Sequence, residues 1–277
     1  MSATKQGSKV RVAYDDYASY RWTIDRLLEA VDLPAGAWLE PCAGAGTIIE
    51  AVAARRADVA WAAVEIQPKY EAPLRKLIPS QAHVAIGDFV ALAIEPREYP
   101  PLFAVSISNP PYSLAEAVIR KSQKLAGVTA MLLRLNFLGS QERADWLRVW
   151  APDIYVLPDR PNFNPTLKKD KEGKDRMSSG DSIEYAWFIW DWRRISFRGS
   201  VQVLATTPEE VRGAEKLPRQ QAARAAALPP APTPPAPPAP PPPAPLAPPQ
   251  PAAPTVPASE DQTRPETPGS KTDATSP

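Results

Sequence analysis

Leu39-Glu40-Pro41-Cys42-Ala43-Gly44-Ala45-Gly46-Thr47 joins a short β-type run, Trp38 to Leu39, to a helical pattern that starts at Gly46. Its two glycines let the backbone turn tightly and approach a ligand closely, and the start of the helix offers unpaired N–H groups. A dinucleotide site would want a third Gly two or three residues after Gly46, where Ile48 and Ile49 stand. No Gly-Lys-Ser/Thr follows, so a phosphate-binding nucleotide loop is rejected as well. Taken alone, the segment also reads as a tight turn without a ligand, so its surroundings have to decide.

Upstream, Trp22, Ile24, Leu27, Leu28 and Val31 recur at three- and four-residue spacings and predict an amphipathic helix over 20–31, ended by Pro34 and Gly36. Downstream, β-type runs (Val59 to Val64, His83 to Ile86, Phe103 to Ile107, Thr129 to Leu135, Ile154 to Leu157) alternate with helical ones (Gly46 to Arg55, Pro68 to Leu77, Leu114 to Leu125, Ser140 to Trp150). This alternation predicts an α/β fold, a parallel sheet with helices on both faces, whose ligand site lies at the carboxyl ends of the strands. From Pro158 to Ser182 the chain is polar and turn-rich and reads as a long loop. The aromatic run Glu184 to Trp192 and a possible edge strand, Val201 to Leu204, are expected to close the sheet antiparallel.

Of 36 prolines, 22 lie between Pro208 and Pro277, in repeats such as Pro-Pro-Ala-Pro-Pro-Ala-Pro. Such a segment cannot bury a core and is expected to be disordered with polyproline II character. The expected organisation is a flexible 1–13, one domain over 14–207, and an Ala/Pro-rich tail over 208–277 that serves as a spacer or as a ligand for a proline-binding partner. Lys+Arg 32 against Asp+Glu 31 gives a net charge of +1, so no whole-chain basic field exists to hold nucleic acid. One Cys excludes an internal disulfide framework, and one His makes His triads and multi-His metal sites unexpected. No run of 18 apolar residues and no signal-peptide pattern is visible, and a cytoplasmic protein with no membrane and no metal partner is expected.

Three further segments carry chemistry. Val64-Glu65-Ile66 ends the second strand with a carboxylate, 19 positions after Gly46, suited to the two hydroxyls of a ribose. Gly87-Asp88-Phe89 ends the third with a carboxylate and a ring, suited to the amino group and face of an adenine. Ser108-Asn109-Pro110-Pro111-Tyr112 follows the fourth. Each acid has a plain reading as a surface residue, but three motifs in order at strand ends make that reading weak.

Asn-Pro-Pro-Tyr in this position resembles the catalytic motif of class I S-adenosylmethionine-dependent methyltransferases that act on planar amino groups, in pattern the adenine-N6 DNA methyltransferases of phages and bacteria. The resemblance spans roughly residues 14 to 192. It implies a Rossmann-like methyltransferase fold with a mostly parallel seven-stranded sheet and an antiparallel closing strand. It implies S-adenosylmethionine as cofactor, held by Tyr17, Glu40, Pro41, Gly44, Gly46, Glu65, Ile66, Asp88, Phe89 and Asn109. It also implies DNA as partner, its target adenine flipped out and held by a catalytic Asn109, Pro110, Pro111 and Tyr112. The adenine amine is a poor nucleophile because its lone pair is delocalised into the ring. In the family the Asn oxygen and the carbonyl of the next Pro accept its two hydrogens and localise that pair, here Asn109 and Pro110, while Tyr112 stacks on the base.

Asp15-Asp16-Tyr17-Ala18-Ser19-Tyr20 is similar to the family's Asp-x-Tyr-x-Thr-Pro, with Ser19-Tyr20 in place of Thr-Pro. Leu157-Pro158-Asp159-Arg160-Pro161-Asn162-Phe163 resembles the Arg-Pro-x-Phe turn beside the target pocket, and makes Arg160 and Phe163 substrate-binding candidates. Phe163 reads equally as a plug at the domain's edge. Trp187 and Trp190 read as core, Cys42 as a small packing residue and His83 as structural. The run Lys168, Lys169, Lys171, Lys174, Arg176, diluted by Asp170, Glu172 and Asp175, reads as a phosphate contact or a solvated loop. Adenine in RNA, a glutamine amide in a protein, and a non-catalytic scaffold remain as alternatives.

Overall fold

Residue patterns of period two and period 3.6 each find their place in an eight-stranded sheet with helices on both faces. The computed structural model describes residues 18–78, 80, 83–96, 100–163, 167–169, 175–177, 183–194 and 199–215, so the expectations for 1–13, for Tyr17 and for the tail beyond 215 lie outside the described residues. In chain order the elements are α1 (Arg21–Ala30), β1 (Gly36–Glu40), α2 (Thr47–Ala53), β2 (Val59–Glu65), α3 (Glu71–Leu77), β3 (Val84–Ile86), β4 (Phe103–Ser108), α4 (Ala115–Leu125), β5 (Ala126–Arg134), α5 (Ala144–Val149), β6 (Asp153–Val156), β7 (Leu167–Lys169), β8 (Asp175–Met177), β9 (Tyr185–Asp191) and β10 (Val201–Val203).

The sheet runs β10-β6-β9-β5-β4-β1-β2-β3. All neighbouring pairs are parallel except those of β9, which is antiparallel to both β5 and β6. This is the Rossmann-like methyltransferase fold, with one difference from the seven strands expected. The segment from Val201 forms an eighth strand, and it pairs parallel to β6 (Val201↔Ile154), not antiparallel. The long loop from 158 to 182 also contains structure, a two-stranded hairpin of β7 and β8.

Alternation along the strands sorts side chains to the two faces. Val128, Ala130 and Leu132 of β5, with Tyr185, Trp187 and Ile189 of β9, face the layer of α1, α2 and α3. Met131 and Leu133, with Ala186, Phe188 and Trp190, face α4 and α5. Both faces of β9 are therefore buried, which explains why its seven residues are nearly all apolar or aromatic. Three buried indoles find acceptors: Trp38 Nε1 donates to Pro34 O, Trp187 Nε1 to Thr23 O and Trp190 Nε1 to Trp150 O, each at 2.8 Å, whereas the buried Trp61 Nε1 has no partner among the described residues. Trp187 and Trp190 are fully buried core.

Residues 209–215 are helical. Glu215 accepts the N–H groups of Arg21 (2.7 Å) and Trp22 (3.1 Å), the otherwise open first turn of α1, whose N-cap Tyr20 supplies no side-chain bond. Asp159 holds the same segment by accepting Thr207 N–H at 2.5 Å and by facing Arg212 at 3.4 Å. Among the described residues no helix is long and apolar enough to cross a membrane.

Candidate functional site

The strand order reverses between β1 and β4, so the loops leaving their carboxyl ends diverge and open a crevice. Residues 41–46 form one wall. Gly44 and Gly46 both adopt positive φ (52° and 87°), the left-handed region in which a side chain is strained. Their surroundings differ. A Cβ on Gly46 would sit 2.4 Å from Leu77 Cδ1, whereas one on Gly44 would meet nothing within 4 Å. A side chain at Gly46 would have to displace the tip of Leu77, whereas Gly44 is open toward the crevice.

Glu65 ties three loops together. One carboxylate oxygen accepts Gly44 N–H at 2.7 Å and the other accepts Gln67 N–H at 2.8 Å, while the Glu65 carbonyl accepts Gly87 N–H at 2.8 Å. Each carboxylate oxygen keeps a lone pair beyond these bonds. Asp88 accepts Val90 N–H at 2.8 Å. Lys121 of α4 donates to the carbonyls of Phe89, Val90 and Leu92, which fixes the turn carrying Asp88 against the helix that follows Asn109–Tyr112.

Glu40 lies beneath the loop, 2 % exposed. The Ile49 N–H bonds to its carboxyl, yet its Oε2 is buried with no hydrogen-bond partner among the described residues. Burial first, and the charge of Glu65 second, raise its pKa well above the usual carboxyl range. The same two causes push the Cys42 thiol up, so it is a poor nucleophile at neutral pH.

One cleft is lined by Glu40, Pro41, Gly44, Glu65, Ile66, Asp88, Phe89, Asn109 and Pro111, nine of the residues singled out from the sequence. Gly46, Pro110, Tyr112, Arg160 and Phe163 stand outside its lining. Ser19, Cys42, Gln67, Tyr70 and Leu114 line it without having been selected as site residues. Ser19 lies in the amino-terminal motif, and Gln67 follows the acid that ends β2, so position relative to strand ends was the available signal. The lining contains three carboxylates and no Lys, Arg or His. Such a wall favours a cationic ligand over a phosphate. Among the described residues no group of three or more His, Cys, Asp or Glu is arranged to hold a metal ion.

Beside the cleft lies an aromatic cluster. Phe163 is buried (7 % exposed) between Tyr20, at 5.7 Å between centroids, and Tyr185, at 4.9 Å, and Tyr20 donates its hydroxyl to Asn162 O at 2.8 Å. Its ring therefore packs inward here. Tyr112 stands 6.2 Å from Tyr185, and the Arg134 guanidinium lies 4.2 Å over its ring. Burial and the neighbouring Tyr185 push its phenol well above the ordinary range. Arg160 is half-exposed and pairs with Glu184 at 2.7 Å. His83 is exposed just ahead of β3.

No family model matches the chain, and no curated protein matches it. Several solved structures are similar in shape. One, from Listeria monocytogenes and described as a class I S-adenosylmethionine-dependent methyltransferase, is 12% identical with a TM-score of 0.45 over 76% of this chain and 72% of its own. The 23S rRNA methyltransferase ErmE is 16% identical with a TM-score of 0.40 over 73% and 76%. A SAM-dependent O-methyltransferase of Thermotoga maritima is 13% identical with a TM-score of 0.42 over 65% and 68%. The strand order, rather than these likenesses, carries the fold assignment.

Proposed function

We propose that this chain binds S-adenosylmethionine in the acidic cleft and uses it to methylate the N6 amino group of adenine in DNA. The observation that carries the reading is the cleft itself, in which Asn109 and Pro111 share a wall with Glu40, Glu65 and Asp88. The fit to the cofactor rests on the donor set. The buried, unpartnered Glu40 Oε2 suits the ammonium of the methionine end, the remaining lone pairs of Glu65 suit ribose hydroxyls, and the turn of Asp88 and Phe89 suits an adenine. Open space at Gly44 leaves room for close approach of the backbone.

When bound, S-adenosylmethionine supplies an electrophilic methyl on a cationic sulfur. The chain's part is to position the amine. Asn109 and the Pro110 carbonyl accept the two amine hydrogens and localise the lone pair, and the paired prolines hold those acceptors in place before the base arrives. Held by Glu40, Glu65 and Asp88, the cofactor would supply the methyl to the amine nitrogen that Asn109 and Pro110 position, and the amine's surplus proton would leave to water. Glu65 and Asp88 give the cleft a negative field that favours the cationic reactant.

DNA is favoured over other amines by the Arg-Pro-x-Phe turn within Leu157 to Phe163, which resembles that of phage-type adenine methyltransferases. The test is transfer of labelled methyl to unmethylated DNA, total RNA and a protein extract in parallel, with mass spectrometry of the hydrolysed products. N6-methyladenine in DNA supports the proposal. Label in RNA or at a glutamine amide keeps the cofactor and changes the substrate. No label, together with no heat on titration with S-adenosylmethionine, supports a scaffold.

A further inference from the structure

We infer that Arg134 is a gate on the target-base face of Tyr112, a placeholder that a nucleotide of a DNA strand displaces and that then takes a phosphate. The inference rests on the adenine reading of Asn109 to Tyr112. Arg134 ends β5, and β5 lies beside β4, the strand that delivers Asn109. Its register partner in β9 is Tyr185. Arg134, Tyr112 and Tyr185 therefore meet at the carboxyl edge of the sheet, next to the cleft but outside its lining.

The geometry at Tyr112 is the reason for the assignment. The ring has Tyr185 on its flank, with the planes tilted by 39°, and the guanidinium carbon of Arg134 4.2 Å from its centroid. A guanidinium is planar, delocalised and weakly hydrated, so it stacks on an aromatic face as a base does. An adenine laid on that face requires the space Arg134 fills. Displacement frees a permanently charged fork whose planar donors match a phosphate. A flipped nucleotide brings a base and its flanking phosphates together, so it replaces the lost contacts with the Tyr112 ring and hydroxyl by an ionic one. A free nucleoside brings only the base and must compete with the guanidinium uncompensated. Arg134 thus selects a polynucleotide over its monomer in a chain whose net charge of +1 supplies little general attraction for DNA. A purely structural Arg134 would affect both ligands in one direction.

The experiment measures binding of 2′-deoxyadenosine and of a short unmethylated duplex carrying 2-aminopurine at the target position, by calorimetry and by base fluorescence, with the cofactor's demethylated product present. Arg134→Met is expected to tighten the nucleoside about threefold to tenfold, the scale of one cation–π contact. It is expected to weaken the duplex about tenfold and to reduce the slope of log K against log salt by about one. Arg134→Lys keeps the charge without the planar stack. It should tighten the nucleoside while leaving the salt slope as in the wild type, so the proposal stays decidable should Arg134→Met fail to fold. Shifts of the same sign for both ligands, or none, overturn the gate while leaving the adenine reading intact. Wild-type protein that binds neither adenine ligand overturns both.

Discussion

The two halves of the site are built from opposite materials. On the side of β1, β2 and β3, polar contacts run from backbone N–H to carboxylate: Gly44 and Gln67 to Glu65, Ile49 to Glu40, Val90 to Asp88. The wall is acidic and holds no cation. On the side of β5 and β9 the contacts are ring to ring and cation to ring, among Tyr20, Phe163, Tyr185, Tyr112 and Arg134. The first half is a set of fixed acceptors, and the second is closed by its own side chains. On the proposed reading, cofactor affinity belongs to the first and admission of the base to the second, and the two are separable by mutation.

The largest expected effect lies at the seam between the halves. Asn109→Ala should lower the turnover number by about 100-fold or more, the loss typical of removing one preorganised hydrogen-bond partner. Methyl transfer against titration calorimetry checks this, and an unimpaired turnover with normal cofactor binding would sink the assigned chemistry. Next comes the glycine pair. Gly46→Ala should cost about 2–3 kcal/mol of stability, combining left-handed strain with the push on Leu77. Gly44→Ala should cost about 1–2 kcal/mol, the strain alone, and should show itself mainly as weaker cofactor binding. Urea unfolding beside calorimetry separates them, and equal stability losses would remove the distinction between packing and approach.

Glu40 gives a smaller effect whose sign follows from its raised pKa. The folded protein holds this proton more tightly than the unfolded chain does. The stability it contributes is complete below the unfolded carboxyl's pKa of about 4.3 and is lost as pH rises from there through the raised folded value. Ligand-free wild type should therefore lose stability over that window relative to Glu40→Gln, as read from urea midpoints at a series of pH values. Binding of the cofactor should release a proton, seen as a dependence of the binding heat on the buffer. The smallest effect belongs to Arg160→Ala. Its pair with Glu184 is about half exposed on each side, so stability should change by less than about 1 kcal/mol. A large loss would mean that the second half depends on its rim as well as on its rings.

The acidic half was legible because its motifs are local. Glu40, Glu65 and Asp88 each close or follow a strand, and strands ending at one edge of a parallel sheet bring their last residues together whatever lies between them. The aromatic half was harder to read. Phe163 can be called a pocket wall or a plug with equal right from sequence, since the choice depends on Tyr20 and Tyr185, both far away in the chain. Nothing in the local pattern of Thr129 to Leu135 marks Arg134 out. Its meaning comes from Tyr112, 22 positions earlier, which only the pairing of β4 with β5 brings near. Val201 to Val203 had the pattern of an edge strand, but direction is invisible in a strand's own residues, and pairing with β6 proved parallel. Glu215 sat in what composition marked as tail. Its role depends on a helix start 194 positions away.

The place of β6 has a consequence for how the molecule comes into being. Its neighbours in the sheet are β9 and β10, and both follow it in the chain. During synthesis β1 to β5 can pair as they emerge, each beside a strand already made, while Asp153–Val156 must wait for Tyr185–Asp191 to be inserted between it and β5. A nascent chain halted near residue 160 therefore carries the acidic cleft's strands complete and one strand with nowhere to dock. The strands behind the acidic cleft are assembled first, and Tyr185, which flanks Tyr112, arrives only with the later aromatic strand.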